Sequence, residues 1–284
     1  MRIFISVDME GIGGVVSYQQ VDAAHPLYHE ARQLMEQELR ACLEALIEAG
    51  IKTAVINDSH DTMLNISCAD IGSGKMQLFL IRGRHKPLGM MQGASGCQGA
   101  IFLGYHARAG TRHAVLDHSF SSYIYRLSLN GREAGEVGLN ATLLSAFRVP
   151  LLLVTGDAAA CREAEEWMPG VITVPVKKGL SRTAAICLPP GQVKKLIKEK
   201  TRESLRRWQE GESRRAFFPF SPANRWDLEV EFITSEIADV AAFLPFVRRR
   251  EGRTVVLRDT NYVALYRKFI YLLRFVGGYN WLLL

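Results

Sequence analysis

An apolar run from Ile3 to Val7 stops at Asp8, helical periodicity extends from Pro26 to Ala49 and closes at Gly50, and a second apolar run follows from Thr53 to Asn57. Apolar strands separated by a helix of this length form a βαβ unit, whose strands lie parallel and are covered on both faces. Two further short runs, Ala100 to Leu103 and Leu151 to Val154, are flanked by glycine and polar residues, as buried parallel strands often are. The expected fold is α/β, an open, mostly parallel sheet with flanking helices.

Ser119 to Leu129 alternates like a strand or hairpin arm and reaches the turn dipeptide Asn130-Gly131, and a helix is expected from Glu136 to Phe147. Pro189-Pro190-Gly191 marks a boundary, followed by a charged amphipathic helix from Gln192 to Glu212. Beyond it, Leu228, Val230 and Phe232 alternate with Glu229 and Glu231, a helix spans Ser235 to Phe243, a strand Arg253 to Arg258, and a helix Asn261 to Phe275. Residues 1–190 thus read as the α/β catalytic domain and residues 191–284 as a smaller C-terminal α+β unit, a candidate for oligomer contacts. The apolar tail, Phe269 to Leu284, is broken by Arg274, Gly277-Gly278 and Asn280. It falls short of the roughly 20 residues a membrane span needs, and a packed terminal helix is expected.

The net charge is +6, and the basic excess gathers at Lys177, Lys178, Lys194, Lys195, Lys198, Lys200, Arg206, Arg207, Arg214, Arg215 and Arg248 to Arg250. No nucleic-acid module accompanies it, so solvated helix faces and loops are expected rather than a nucleic-acid partner. Five cysteines without CxxC spacing fit free thiols in a reducing compartment. Asp8 and Glu10 interrupt any leader-like apolar stretch, so the expected location is cytoplasmic.

Asp8 and Glu10 alternate onto one side where the first strand ends. Two carboxylates held together there repel and lose water unless a proton or a cation sits between them. All seven histidines lie between His25 and His118. His60 follows the strand ending Asn57-Asp58-Ser59, and His106 follows Phe102-Leu103-Gly104-Tyr105. Ligands of open α/β sheets collect outside the carboxyl ends of the strands, so Asp8, Glu10, His60 and His106 are expected to converge from three strands. Taken singly, each is more often a cap or a satisfied polar group. Together they make a donor set for zinc or a similar transition metal. His25, His29, His85 and His113 are assigned to surface or packing.

Ser6-Val7-Asp8-Met9-Glu10-Gly11 resembles the S-x-D-x-E-G signature of the zinc-dependent D-aminopeptidase family. Asn57-Asp58-Ser59-His60, Leu103 to Ala109, His118-Ser119 and Gly135 to Ala141 are similar to the same family in the same order, clearly to about Arg182 and more weakly from 191 onward. The resemblance implies two zinc ions per subunit held by Asp8, Glu10, His60, His106 and Glu136, with Asp8 as the bridge. It implies that His118 is catalytic, as a nucleophile or as a general acid or base. By the residues alone, Glu136 reads as a first-turn glutamate favouring the helix dipole. The implied reaction is removal of an N-terminal residue, such as D-alanine, from short peptides, by a homodecamer with a central channel. Two such cations lower the pKa of a shared water and polarise a scissile carbonyl.

Two other classes compete: a magnesium-dependent phosphoryl-transfer hydrolase, which paired carboxylates allow but the histidines disfavour, and a non-catalytic metal-binding oligomeric scaffold. The loop Gly83 to Gly96 is expected to line the substrate pocket, with Lys86 either solvated or paired to a substrate carboxylate. Gly13-Gly14-Val15-Val16 departs from a more polar turn. Asp58, then Asp117 and Asn140, are candidates for orienting metal ligands, and the tail Trp281 to Leu284 for a subunit contact.

Overall fold

The computed structural model describes residues 1–68, 74–211 and 224–279. Its elements are β1 (Arg2–Val7), α1 (Tyr18–Val21), α2 (Tyr28–Glu48), β2 (Thr53–Asp58), β3 (Gln77–Ile81), β4 (Gly99–Tyr105), β5 (Ile124–Leu129), β6 (Arg132–Ala134), α3 (Glu136–Ala146) and β7 (Leu151–Asp157). They continue with α4 (Ala158–Trp167), β8 (Ile172–Ser181), β9 (Ala184–Cys187), α5 (Pro190–Gln209), β10 (Trp226–Phe232), α6 (Ser235–Ala241), β11 (Val247–Arg249), β12 (Thr254–Asp259) and α7 (Tyr262–Tyr279). The expected tail contact, Trp281 to Leu284, lies outside the described residues.

Seven strands form one sheet in the order β3-β2-β1-β4-β7-β8-β9, parallel throughout except for β9, which runs antiparallel to β8. The strand order reverses between β1 and β4, so the chain leaves the carboxyl ends of these neighbours in opposite directions and opens a crevice there. Alternation sorts the β1 side chains onto two faces. Ile3, Ile5 and Val7 face the cluster built with α2 and α5, through residues such as Met35, Leu39, Val193 and Ile197. Phe4 faces the other cluster, which α3, α4, α7 and the second sheet complete through Val137, Trp167, Phe269 and Val230.

The second sheet is antiparallel, in the order β11-β12-β10-β5-β6. Here the expected boundary at residue 190 falls differently. The hairpin β5-β6 belongs to the same sheet as the C-terminal strands, because Leu127 and Leu129 pair with Val230 and Leu228. In turn α5, beyond the boundary, closes the first sheet's α2 face, since its apolar stripe Val193, Ile197 and Leu205 has nowhere else to be buried. Several of its basic residues are ion-paired rather than free, Lys198 to Glu44 and Arg202 to Glu48 on α2. The hairpin turns at Asn130-Gly131 with φ of 50° and 81°, the left-handed pair such a turn requires.

Composition and periodicity passed over β3, α4, β8 and β9. Pro175 inside Ile172 to Ser181 argues against a central strand, yet it pairs with Gly156 beside a register shift, where the ladder is already irregular. The helix α4 starts on Asp157, whose Oδ1 accepts from the Ala160 amide at 2.7 Å. Among the described residues, no helix is long and apolar enough to cross a membrane.

Candidate metal centre

The crevice is closed at its base by backbone, which is why glycines stand where they do. The Asp8 amide donates to the Leu103 carbonyl and the Gly11 amide to the Gly104 carbonyl, each at 2.8 Å, so the chain leaving β1 is stitched to the end of β4. A Cβ on Gly11 would lie 1.9 Å from the Tyr105 carbonyl oxygen. Gly104 has φ +71°, and its Cβ would meet the Asp8 carbonyl oxygen at 2.3 Å. The Ser59 amide donates to the Val7 carbonyl at 2.9 Å and so brings the end of β2, with His60, to the same place.

Two donor groups result. Asp8, Glu10 and His60 form one, and His106, His118 and Glu136 the other, with the ligand-type atoms of each within 4.8 Å of one another. Asp8 faces both: its Oδ1 is 3.6 Å from His60 Nδ1 and its Oδ2 is 3.6 Å from His106 Nε2. His60 Nδ1 also lies 2.9 Å from Glu10 Oε2, and His106 Nε2 lies 3.4 Å from Glu136 Oε1. His118 stacks on His106, with centroids 4.0 Å apart, and points Nε2 between Glu10 and Glu136 at 3.9 and 3.8 Å. Glu136 opens α3 and accepts from the Phe120 amide at 2.6 Å.

Each ring is oriented by a main-chain carbonyl on its far nitrogen. His60 Nε2 donates to Val21 at 2.9 Å, His106 Nδ1 to Ala107 at 3.0 Å and His118 Nδ1 to Leu116 at 2.9 Å. A carbonyl only accepts, so in each neutral imidazole the other nitrogen presents a lone pair to the centre. His106 Nε2 is buried without a hydrogen-bond partner. A buried acceptor with no donor, beside buried carboxylates that repel, is the donor chemistry a divalent transition metal satisfies, so the residues fit zinc.

Without an ion, protons take the place of the cation. Burial, with Glu10 adding to it, pushes the Asp8 carboxyl up to about 7. Burial opposes charge on His60 and His106, yet Glu10 with Asp8, and Glu136 with Asp8, override it and hold both imidazoles well above the usual histidine value. Burial and the neighbouring His106 lower His118.

Behind the two donor groups runs a buried polar chain. Ser6 Oγ meets Ser59 Oγ at 2.8 Å and the Tyr105 hydroxyl at 2.7 Å; Asn140 Nδ2 donates to that hydroxyl at 3.1 Å; and Tyr266 on α7 donates to Asn140 Oδ1 at 2.6 Å. Asn140, one helical turn from Glu136, thus bonds Tyr105 and Tyr266 rather than a side chain of either donor group. Asp58 accepts from the amides of Asn65 and Ile66 and from Asn65 Nδ2, and Asn65 Nδ2 also reaches the His60 carbonyl. Asp117 holds the loop before His118 by accepting from the Gly110 amide at 2.7 Å and pairing with Arg182 Nε at 3.0 Å.

Two lysines differ from expectation. Lys86 is buried, donating to Asn57 Oδ1 at 2.7 Å and to the Asp58 carbonyl, and burial lowers it to about 8. It is neither solvated nor free for a substrate, and Leu88, Met90 and Met91 of the same loop are core residues. Lys177, counted with the solvated basic set, is buried against the Glu10 loop. No periodicity signals either; only its place on a central strand, hidden by Pro175, marks Lys177.

A doubly wound sheet carrying two carboxylate–histidine donor groups at its switch point, His118 among them, fits a metal-dependent hydrolase class. The family model described as D-aminopeptidase matches residues 1–270. The chain belongs to the D-aminopeptidase family. It is 35% identical over 257 residues to the D-aminopeptidase of Bacillus subtilis (strain 168), covering 90% of each chain. It superposes with a TM-score of 0.90, at 33% identity and over 98% of both chains, on the solved structure described as Zn-dependent D-aminopeptidase DppA from Bacillus subtilis, a self-compartmentalizing protease.

Proposed function

We propose that this protein is a dizinc aminopeptidase that removes an N-terminal D-amino acid, such as D-alanine, from short peptides. Asp8 carries the reading: its two oxygens address two separate donor groups from one buried carboxylate. Glu10 and His60 would hold one ion, and His106 and Glu136 the other, with Asp8 shared. Ions so held would supply an ionised water and a polarised scissile carbonyl.

The chain's own residues do the rest. His118, lowered by burial and by His106, is neutral near pH 7 and fixed through Nδ1, so Nε2 is free to take the proton of the attacking water and pass it to the leaving amine. Its ring, 22% accessible, is the most exposed side chain of the centre. A homo-oligomer, decameric by the family resemblance, acting on peptides in the cytoplasm is consistent with five free cysteines and with the relative described as self-compartmentalizing. Residues 191–284 are the part proposed to make subunit contacts.

The test is hydrolysis of paired D- and L-alanyl dipeptides by zinc-loaded protein. Turnover of the D-peptide well above the L-peptide is expected, and L-preference or strong magnesium-dependent phosphatase activity instead would refute the reading. A pH dependence accompanies it. His60 and His106 stand above 6.5 in the folded, metal-free chain, so zinc displaces their protons already at neutral pH. Apparent zinc affinity is expected to rise with pH through this range, and calorimetry in buffers of different ionisation enthalpy is expected to show net proton release at pH 7; zero release contradicts the assignment.

A further inference from the structure

The loop that carries Glu10 has almost nothing of its own to hold it. Gly11, Ile12, Gly13, Gly14 and Val15 bring no polar side chain, and its internal bonds are two, Ile12 amide to Met9 carbonyl and Val15 amide to Ile12 carbonyl, each at 3.1 Å. Its position is supplied from outside, at Gly11 by the Gly104 carbonyl and at Gly14 and Val16 by the Gln20 side chain. Lys177 reaches in from β8 and donates to the carbonyls of Glu10, Ile12, at 2.9 Å, and Val15. Its three N–H groups thus meet three main-chain acceptors, with the side chain buried. From the α2 side, Glu38 Oε1 accepts from the Gly13 amide at 2.7 Å.

We propose that Lys177 is a positioning residue for the metal centre. Its ammonium fills a cage of loop carbonyls in the way a bound cation would, and it fixes the backbone from which the Glu10 carboxylate projects. Glu10 is then held at both ends, its carbonyl by Lys177 and its carboxylate by His60. Glu10 and Val15 are buried in this arrangement, so an apolar side chain in place of Lys177 strips their carbonyls of a donor and loosens the loop between its other anchors. The part concerning metal affinity rests on the two-ion reading above; the part concerning the loop does not.

Lys177→Met keeps the stem and removes the donors. In metal-stripped protein, hydrogen exchange over residues 9–16 is expected to accelerate while β4 and β7 keep the parent's protection. In zinc titration against a chromophoric chelator, one binding step is expected to weaken about 10- to 100-fold, as loss of a ligand-orienting partner does, with the other unchanged. Lys177→Ala leaves a carbonyl-lined gap, and ethylammonium is expected to restore both readouts where tetramethylammonium, which has no N–H, does not. Parent-like exchange and zinc binding in Lys177→Met would overturn the proposal. If that variant does not fold, failure of ethylammonium to restore Lys177→Ala overturns it instead. A parent that binds one zinc refutes the two-ion reading alone, and the exchange measurement still decides the clamp.

Discussion

Asp8→Ala is expected to release both zinc ions together and to lower D-peptide turnover by at least about a thousandfold, the scale set by losing Lewis-acid stabilisation of several kcal/mol. Asp8 is the residue whose two oxygens address His60 on one side and His106 on the other. With His118 assigned to proton transfer rather than to metal, removing Asp8 leaves Glu10 with His60 and Glu136 with His106, two donors for each ion where stable zinc sites use three or more protein ligands. Glu136→Ala provides the contrast. It touches only the His106 side and is expected to release one ion and keep the other. Metal analysis after gel filtration separates the cases, and two ions retained in Asp8→Ala would exclude a bridge.

Loss of turnover with metal content unchanged is the result expected for His118→Ala. The ring lies 3.8 to 3.9 Å from Glu136 and Glu10, and the reading above assigns its Nε2 to proton transfer and the zinc to Asp8, Glu10, His60, His106 and Glu136. A proton shuttle is worth about a hundred- to ten-thousandfold, so kcat should fall by that factor with KM little changed. The ascending limb of the pH profile should flatten, since the group that must be neutral is gone. A larger loss, with an acyl-imidazole trapped in the parent, would make His118 the nucleophile. Normal turnover would remove it from the reaction, and loss of one zinc would make it a ligand.

The sequence made the first sheet legible because its strands are continuous apolar runs ending in chemistry-bearing residues. Ile3 to Val7, Thr53 to Asn57 and Ala100 to Leu103 all lie inside observed strands, and Asp8, His60 and His106 stand at their carboxyl ends as expected. Glu136 and His118 carry no such mark. A glutamate at the start of a helix is common, and His118 reaches the centre only through a loop whose path Asp117 and Arg182 determine.

What periodicity does not carry is the sheet's margins, β3 at one edge and β8 with β9 at the other. β8 is disguised by Pro175, and without it Lys177 reads as one more surface lysine. The 190 boundary has a related origin: Pro189-Pro190-Gly191 separates β9 from α5, but a break in secondary structure is not by itself a break in the core, and α5 packs back on the first sheet. Long-range pairing of β5 with β10 leaves no local trace, because each strand alone shows only alternation. The steric need for Gly11 and Gly104 is likewise invisible until the backbones of β1 and β4 are seen to touch.

The most direct test of the two-ion account is activity regained by metal-stripped protein as zinc is returned stepwise, read on a D-alanyl dipeptide with its L-alanyl counterpart as control. The account predicts D-specific turnover that reaches its plateau at two zinc equivalents per chain, with the same two ions counted by elemental analysis. A plateau at one equivalent, or full turnover in the stripped protein, would contradict it.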